Sequence, residues 1–344
     1  MFERMIYDAY GIYCEGRFSL KGYDGFYTGN QSYLLFPKED CLISEEEMLG
    51  YANYVRSLGD YSVLEPLMTK YNKRIALVEG QEVYVSPLPN ERSSSVVRIQ
   101  SEKERGAHLA QLHHYGKRLS YSKNNEFFGQ WPKLWEARLE QLEGWYQQIL
   151  YTGPQSEVDQ AFLFTYPYFM GLTENAIQYA VDATFDDPSR DHETPTIAHR
   201  HFSERTWLTI SKDGTIVKRP TEWLYDHPCR DLAEWLRDQR LRNETFPWEK
   251  ANEFLSGYEH VDLLSSYSRR LLYARLLFPL HYFEAVERFY SAQVKEERMQ
   301  RGQHLMQILM NEGSNEQFLK DFAAYYLQTR TEAALTIPTL EWLG

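Results

Sequence analysis

The sequence predicts an α+β protein with a small β-rich N-terminal lobe, residues 1–88, and a large, mainly helical C-terminal lobe, residues 89–344. Three observations predict it. Short apolar stretches broken by glycine turns crowd the first 88 residues, a polar run with two prolines follows, and beyond that run apolar positions recur at helical spacing.

The elements follow in order. RFSLKGYDGFY and QSYLLFP read as strands, with reversals at Gly22, Gly25 and Gly29. Ser44 followed by Glu45, Glu46 and Glu47 is a capping-box start, and Met48, Leu49, Tyr51, Ala52, Val55 and Leu58 continue it as a helix ended at Gly59-Asp60. SVLEPLMT reads as a strand, and IALVEGQEVYVSPL as two strands around Glu79-Gly80. Pro87 to Glu91 with Arg92-Ser93-Ser94-Ser95 forms a crossover linker. Residues 103–118 and 131–150 then predict helices, the second with a stripe of Leu134, Trp135, Leu139, Leu142, Trp145, Tyr146 and Ile149. Residues 157–183 give one or two more. Residues 197–217 interrupt them with strand-like sequence turning at Lys212-Asp213-Gly214, and helices resume from Asp231 to the end, punctuated by Pro247, Pro279 and Gly313.

Composition narrows the function classes. The 344 residues carry a net charge of −12, which argues against a nucleic-acid partner and against binding to anionic membranes. No run of about 18 apolar residues exists, so no membrane span is expected, and the N-terminus lacks the pattern of a secretion signal. Cys14, Cys41 and Cys229 have no metal-ligand spacing and read as reduced thiols in a cytoplasmic setting. The 26 tyrosines cannot all be buried, so many should be half-exposed, which suits a dense assembly and equally an aromatic-rich core with nothing more to it. No nucleophile elbow, P-loop or dinucleotide-binding fingerprint is present.

The informative stretch is 199–238, HRHFSERTWLTISKDGTIVKRPTEWLYDHPCRDLAEWLRD. With LAQLHHYG at 109–116 and LLFPLHYFEAVERFY at 276–290, it resembles the aminoglycoside-phosphotransferase and choline-kinase branch of the protein-kinase-like fold. Within that branch the chain resembles most the bacterial spore-coat proteins of the CotS and YutH group. The resemblance implies a bilobal kinase-like fold with a catalytic-loop segment at 197–231.

Active members of the branch carry His-x-Asp-x-x-x-x-Asn, whose aspartate handles the hydroxyl nucleophile and whose asparagine holds a metal ion. Here His199 keeps the first position, but His201 stands at the aspartate and Thr206 at the asparagine. A second, magnesium-chelating aspartate should precede the helix-leading Asp231 by about a dozen residues. Arg219 stands there instead, and a guanidinium cannot ligate magnesium. The phosphate-pairing lysine of the third strand aligns with Leu34 or Leu35, with Lys38 beyond the strand. Asp231 and Glu234 fit the ends of a capping box, so the aspartate has a structural role whatever the chemistry. Asp226-His227-Pro228 should shape the loop before that helix.

The resemblance therefore implies a degenerate kinase, with His199, His201, Lys218 and Arg219 as candidate cleft residues and no catalytic residue. It would act as a structural or interaction component of the endospore coat, among other coat proteins, after synthesis in the mother-cell cytoplasm. No cofactor is expected. The alternatives are a phosphotransferase with atypical residues, or a module holding ATP with magnesium or another small ligand, Lys218 and Arg219 together facing phosphate. A further alternative is zinc. His199 and His201, alternating on an extended segment, would share a face about 6–7 Å apart, with His192, Glu193, Asp226 or His227 as third ligand. His113 and His114 read as helix residues, with a packed core histidine favoured there.

Overall fold

A computed structural model describes residues 1–89, 96–119 and 127–324. Residues 90–95 of the expected linker and the end of the expected helical run, 325–344, lie outside the described residues. The chain divides into two compact units. The first comprises Met1–Asn124, Pro195–Trp235 and Trp248–Leu263; the second comprises Asn125–Thr194, Leu236–Pro247 and Leu264–Gly344.

The first unit opens with a helix the sequence reading passed over, α1 (Phe2–Tyr10), ended by Gly11 in the left-handed region. Five antiparallel strands follow: β1 (Gly16–Leu20), β2 (Tyr23–Thr28), β3 (Gln31–Pro37), β4 (Ile75–Val78) and β5 (Gln81–Pro87), in the order β1-β2-β3-β5-β4. Lys21-Gly22 and Glu79-Gly80 make two of the turns, all four residues at positive φ. Gly25 is no reversal. It pairs with Phe18 inside β2, and a Cβ there would stand 2.4 Å from the Phe18 ring, so the glycine makes room for that ring.

Alternation along the strands gives the sheet two apolar faces. Phe26, Leu35, Val83 and Val85 pack under α1 with Phe2 and Ile6, while Tyr23, Leu34 and Phe36 pack with Leu64, Leu208 and Val217. The expected strand SVLEPLMT does not form. Only Val63 bridges Lys218, the Leu64 N–H bonds to the Lys218 carbonyl, and Pro66 has no N–H to extend a ladder. The expected helix is α2 (Glu45–Ser57), with both bonds of the Ser44–Glu47 capping box present.

α3 (Glu102–Gly116) packs on α7 (Trp248–Val261) so closely that a Cβ at Gly106 would lie 1.9 Å from the Phe254 carbonyl oxygen. The strand-like interruption becomes two ribbons: β6 (Thr196–His199) with β9 (Trp223–Asp226), and β7 (Trp207–Thr209) with β8 (Ile216–Lys218), the latter turning at Gly214. α6 (Cys229–Arg242) follows β9.

The second unit is helical: α4 (Trp131–Thr152), α5 (Glu157–Asp186), α8 (Ser266–Leu277), α9 (Leu280–Ser291), α10 (Lys295–Met310) and α11 (Glu312–Phe322). Residues 157–183 lie in one helix, with Pro167 inside it. Aromatic pairs fill this unit, Phe169 on Tyr282 and Trp135 on Phe278 among them. Of the predicted α4 stripe, Trp135, Leu142 and Ile149 are buried, whereas Leu134 faces out. The tyrosines split: Tyr51, Tyr258, Tyr273 and Tyr282 are fully buried, while Tyr13, Tyr71 and Tyr151 are exposed. Among the described residues no helix is long and apolar enough to cross a membrane.

Candidate functional site

β6 ends at His199, opposite Trp223 of β9, and this pairing sets the site. The His199 backbone N–H donates to Asp231 Oδ1 at 2.7 Å, and His199 Nδ1 lies 2.6 Å from Asp231 Oδ2. Trp207 and Trp223 both donate their indole N–H to His199 Nε2, each at 3.0 Å. An indole nitrogen only donates, so Nε2 is an acceptor and the ring proton sits on Nδ1, facing the carboxylate. His113 adds the other side: Nε2 lies 3.1 Å from Asp231 Oδ2, and Nδ1 lies 2.8 Å from the Tyr258 hydroxyl. His113, His199 and Asp231 are all fully buried. Burial alone would raise the Asp231 carboxyl, but the electrostatic attraction of the His199 ring, with its Nδ1–H aimed at the carboxylate, and the hydrogen bonds from His113 and His199 hold it at about 2. Burial pushes His113 below the usual histidine range, which keeps it neutral beside the carboxylate.

The expected core histidine is thus His113, whereas the expected capping box at Asp231 does not form. α6 begins at Cys229, so Asp231 lies within its first turn and its carboxylate turns to the loop at His199. The helix start is served by His227, whose Nδ1 accepts the Cys229 N–H at 3.1 Å. Asp226 accepts from the His227 N–H and pairs with Arg230 at 2.6 Å.

Thr206 and Arg219 lie side by side, with the Arg219 N–H on the Thr206 carbonyl at 3.1 Å. The Thr206 hydroxyl donates to the Ser203 carbonyl and accepts the Ser203 N–H, closing its own turn. The Arg219 guanidinium is fully buried over the rings of Tyr23 and Phe36, at 4.2 and 4.7 Å. It donates to Asp40, to the Tyr23 hydroxyl and to the Arg205 carbonyl, and Glu222 lies 3.7 Å away. Burial raises the Glu222 carboxyl, and the Arg219 charge opposes that rise.

Lys218 points the other way, as strand alternation requires. Its ammonium, also fully buried, donates to Asp60 and to His108 Nε2. Burial lowers Lys218 and carries His108 down to about 4, with the neighbouring lysine adding to the fall in His108. Lys218 and Arg219 therefore do not converge on a common phosphate, because each already has a carboxylate.

The histidine pair does not share a face. The strand stops at His199, which is buried, and His201 sits in a bend with its side chain 36% exposed and Nδ1 3.6 Å from Glu234. Both ring nitrogens of His199 are engaged, so it has no lone pair for zinc. Glu193 accepts from the hydroxyls of Ser265 and Ser268, and among the described residues no three His, Cys, Asp or Glu side chains converge in ligand geometry.

Sequence reasoning missed Asp40, Tyr23 and Glu222 around Arg219, and Asp60 and His108 around Lys218. Asp60 reads in the sequence as the end of a helix, and nothing local links it to a cation on β8. The two tryptophans were visible, spaced on either side of the hairpin, but their common bond to His199 depends on the pairing of β6 with β9.

With this geometry in view, the relatives are informative. The family model described as "Spore coat putative kinase YutH" matches residues 3–322. The endospore coat-associated protein YutH of Bacillus subtilis (strain 168) is 34% identical over 328 residues, 94% of this chain and 92% of the relative. Among solved structures, an aminoglycoside phosphotransferase from Alicyclobacillus acidocaldarius superposes with a TM-score of 0.65 at 13% identity, covering 95% of this chain and 97% of that one. The spectinomycin phosphotransferase APH(9)-Ia, bound to ADP and spectinomycin, gives 0.57 at 12% identity over 89% and 93%. The fold is kinase-like, and the chain belongs to the YutH family of spore-coat proteins.

Proposed function

We propose that this chain is a catalytically degenerate kinase-fold protein that serves the endospore coat as a structural or interaction component rather than as an enzyme. The observation that carries the reading is Arg219. The kinase resemblance sets it at the position of the magnesium-chelating aspartate, and its guanidinium is fully buried and ion-paired with Asp40. Magnesium needs hard oxygen ligands. The aligned side chains are instead a guanidinium, a threonine hydroxyl closed on Ser203 and an imidazole, so this donor set does not fit the ion.

The retained parts are those that hold the fold. Asp231 still fixes the His199 backbone, and it does so without chemistry. The B. subtilis relative is coat-associated by name, and this supports placement in the coat, among other coat proteins; synthesis in the mother-cell cytoplasm is part of the same proposal. Exposed aromatics such as Tyr151 and Phe164 supply contact groups for such neighbours.

The test is thermal unfolding with ATP, GTP and Mg²⁺, beside a phosphotransfer assay. A ligand at 100 times its Kd adds about 2.7 kcal/mol of stability. No shift and no transfer are expected. A magnesium-dependent shift would sink the proposal in favour of a nucleotide-binding module, and turnover would sink it in favour of an atypical phosphotransferase.

A further inference from the structure

The second unit holds a cavity of about 600 Å³ between the end of α6, α9, α10 and the start of α11, unrelated to any residue discussed so far. Its wall includes Arg240, which is 6% exposed. Burying a cation this deeply ordinarily requires an anion beside it. No carboxylate lies within 4 Å of Arg240 among the described residues: its guanidinium donates to the carbonyls of Ser314 and Asn243, both at 3.1 Å, and the charge of Glu312 acts on it only from beyond ion-pair distance. Two carbonyl dipoles are a weaker substitute for a charge, and the guanidinium still faces an open cavity.

The rest of the wall has the same character. Arg242 and Arg288 border the cavity with exposed heads, each held by a carboxylate on its own helix, Asp238 at 2.8 Å and Glu284 at 3.5 Å. His304 also lines it and has no hydrogen-bond partner among the described residues. Of the acidic groups present, Glu312 is committed to His281 at 3.2 Å and to Asn315 at 3.1 Å, and Glu244 sits at the exposed rim. The first turn of α11 completes the wall, and its N-cap, Asn311, makes no side-chain cap. A helix N-terminus without a side-chain cap, next to a buried arginine that no carboxylate contacts, is a receptor for negative charge.

We infer that this cavity is a binding site for the phosphate group of a small phosphomonoester, with Arg240 as its anchor. A planar guanidinium fork fits tetrahedral phosphate oxygens, and a dianion uses several donors where a carboxylate would need one arginine. The volume is that of a small-molecule pocket and exceeds what a bare phosphate would fill.

The experiment is calorimetric titration of the full chain with glycerol 3-phosphate, with inorganic phosphate, and with chloride at matched ionic strength. Saturable one-to-one binding of the ester, tighter than phosphate and absent with chloride, is expected. Arg240→Gln should weaken it at least about tenfold, the value of one charge-assisted hydrogen bond. Equal affinity for ester and phosphate would overturn the ester and assign the site to free phosphate. Absence of saturation with either anion would overturn the site. If Arg240→Gln does not fold, Arg288→Gln and His304→Gln decide it, since both side chains are solvent-facing; binding unchanged in both would also overturn the assignment.

Discussion

His199 and Asp231 are joined twice, backbone N–H to one carboxylate oxygen and ring Nδ1 to the other, at 2.7 and 2.6 Å. One side chain thus fixes both the path of the loop after β6 and the orientation of the ring that two tryptophans address.

Asp231→Ala should therefore be costly. It leaves the His199 N–H, His199 Nδ1–H and a His113 donor buried without an acceptor, and removal of one buried partner is the expensive kind of change. A loss of about 3–5 kcal/mol is expected. Asp231→Asn, which keeps one acceptor oxygen, should lose less. Urea unfolding checks both, and a loss below 1 kcal/mol for the alanine variant would contradict the brace.

Stability should fall with pH in two stages. Burial and Lys218 depress His108 to about 4, against an ordinary value of 6.5, so between these limits the unfolded chain binds a proton that the folded chain refuses. Stability contributed by neutral His108 is present above about 6.5 and lost as pH drops towards 4, on the order of 3 kcal/mol. His113 acts in the same direction. Asp231, held at about 2, keeps its contribution above its unfolded value near 3.8 and loses it only as pH falls towards 2. Urea midpoints measured from pH 7 to 4.5 should slope downward, and His108→Gln should flatten that slope. An unchanged slope in the variant would remove His108 from the account.

The packing of α3 on α7 offers a contrast between glycines. A Cβ at Gly106 meets the Phe254 carbonyl oxygen at 1.9 Å, and one at Gly257 meets the Lys103 carbonyl oxygen at 2.0 Å. These are backbone atoms and cannot step aside without moving a helix. Gly106→Ala and Gly257→Ala should each cost about 3 kcal/mol or more. Gly144, inside α4 with nothing near it, is the control: Gly144→Ala should gain about 0.5–1 kcal/mol from helix propensity alone. Melting temperatures of the three variants should move accordingly, two down and one up.

What the sequence made legible was local. The Ser44 capping box, the Glu79-Gly80 turn and the helical stripes obey rules that act within a few residues, and each appears in the structure. SVLEPLMT failed because its composition favours a strand but Pro66 and its few bonds to β8 and β5 leave it irregular. The family resemblance singled out Arg219, Thr206 and His201, but a resemblance in motif and spacing could not reveal what surrounds them. Asp40 and Tyr23 reach Arg219 from 179 and 196 residues away in the chain, and no periodicity links such positions.

That distant pairing yields the sharpest test of the proposed loss of phosphate chemistry. Arg219 is fully buried, and Asp40 and Glu222 both lie against it. Arg219→Met keeps the bulk over Tyr23 and Phe36 but leaves two carboxylates facing each other without a cation, at an expected cost of about 3–5 kcal/mol. Asp40→Asn should cost less, because Glu222 still balances the arginine. The double variant removes one of the stranded charges, so its loss should fall short of the sum of the single losses, by about 1–3 kcal/mol of coupling. Arg219→Asp, which installs the carboxylate that the kinase resemblance sets at this position, would place a third acid in this cluster and should destabilise the fold further without producing phosphotransfer. Additive losses in the double-mutant cycle would show that Arg219 and Asp40 are neighbours without being partners. Activity in Arg219→Asp would show that one residue alone separates this chain from a working kinase.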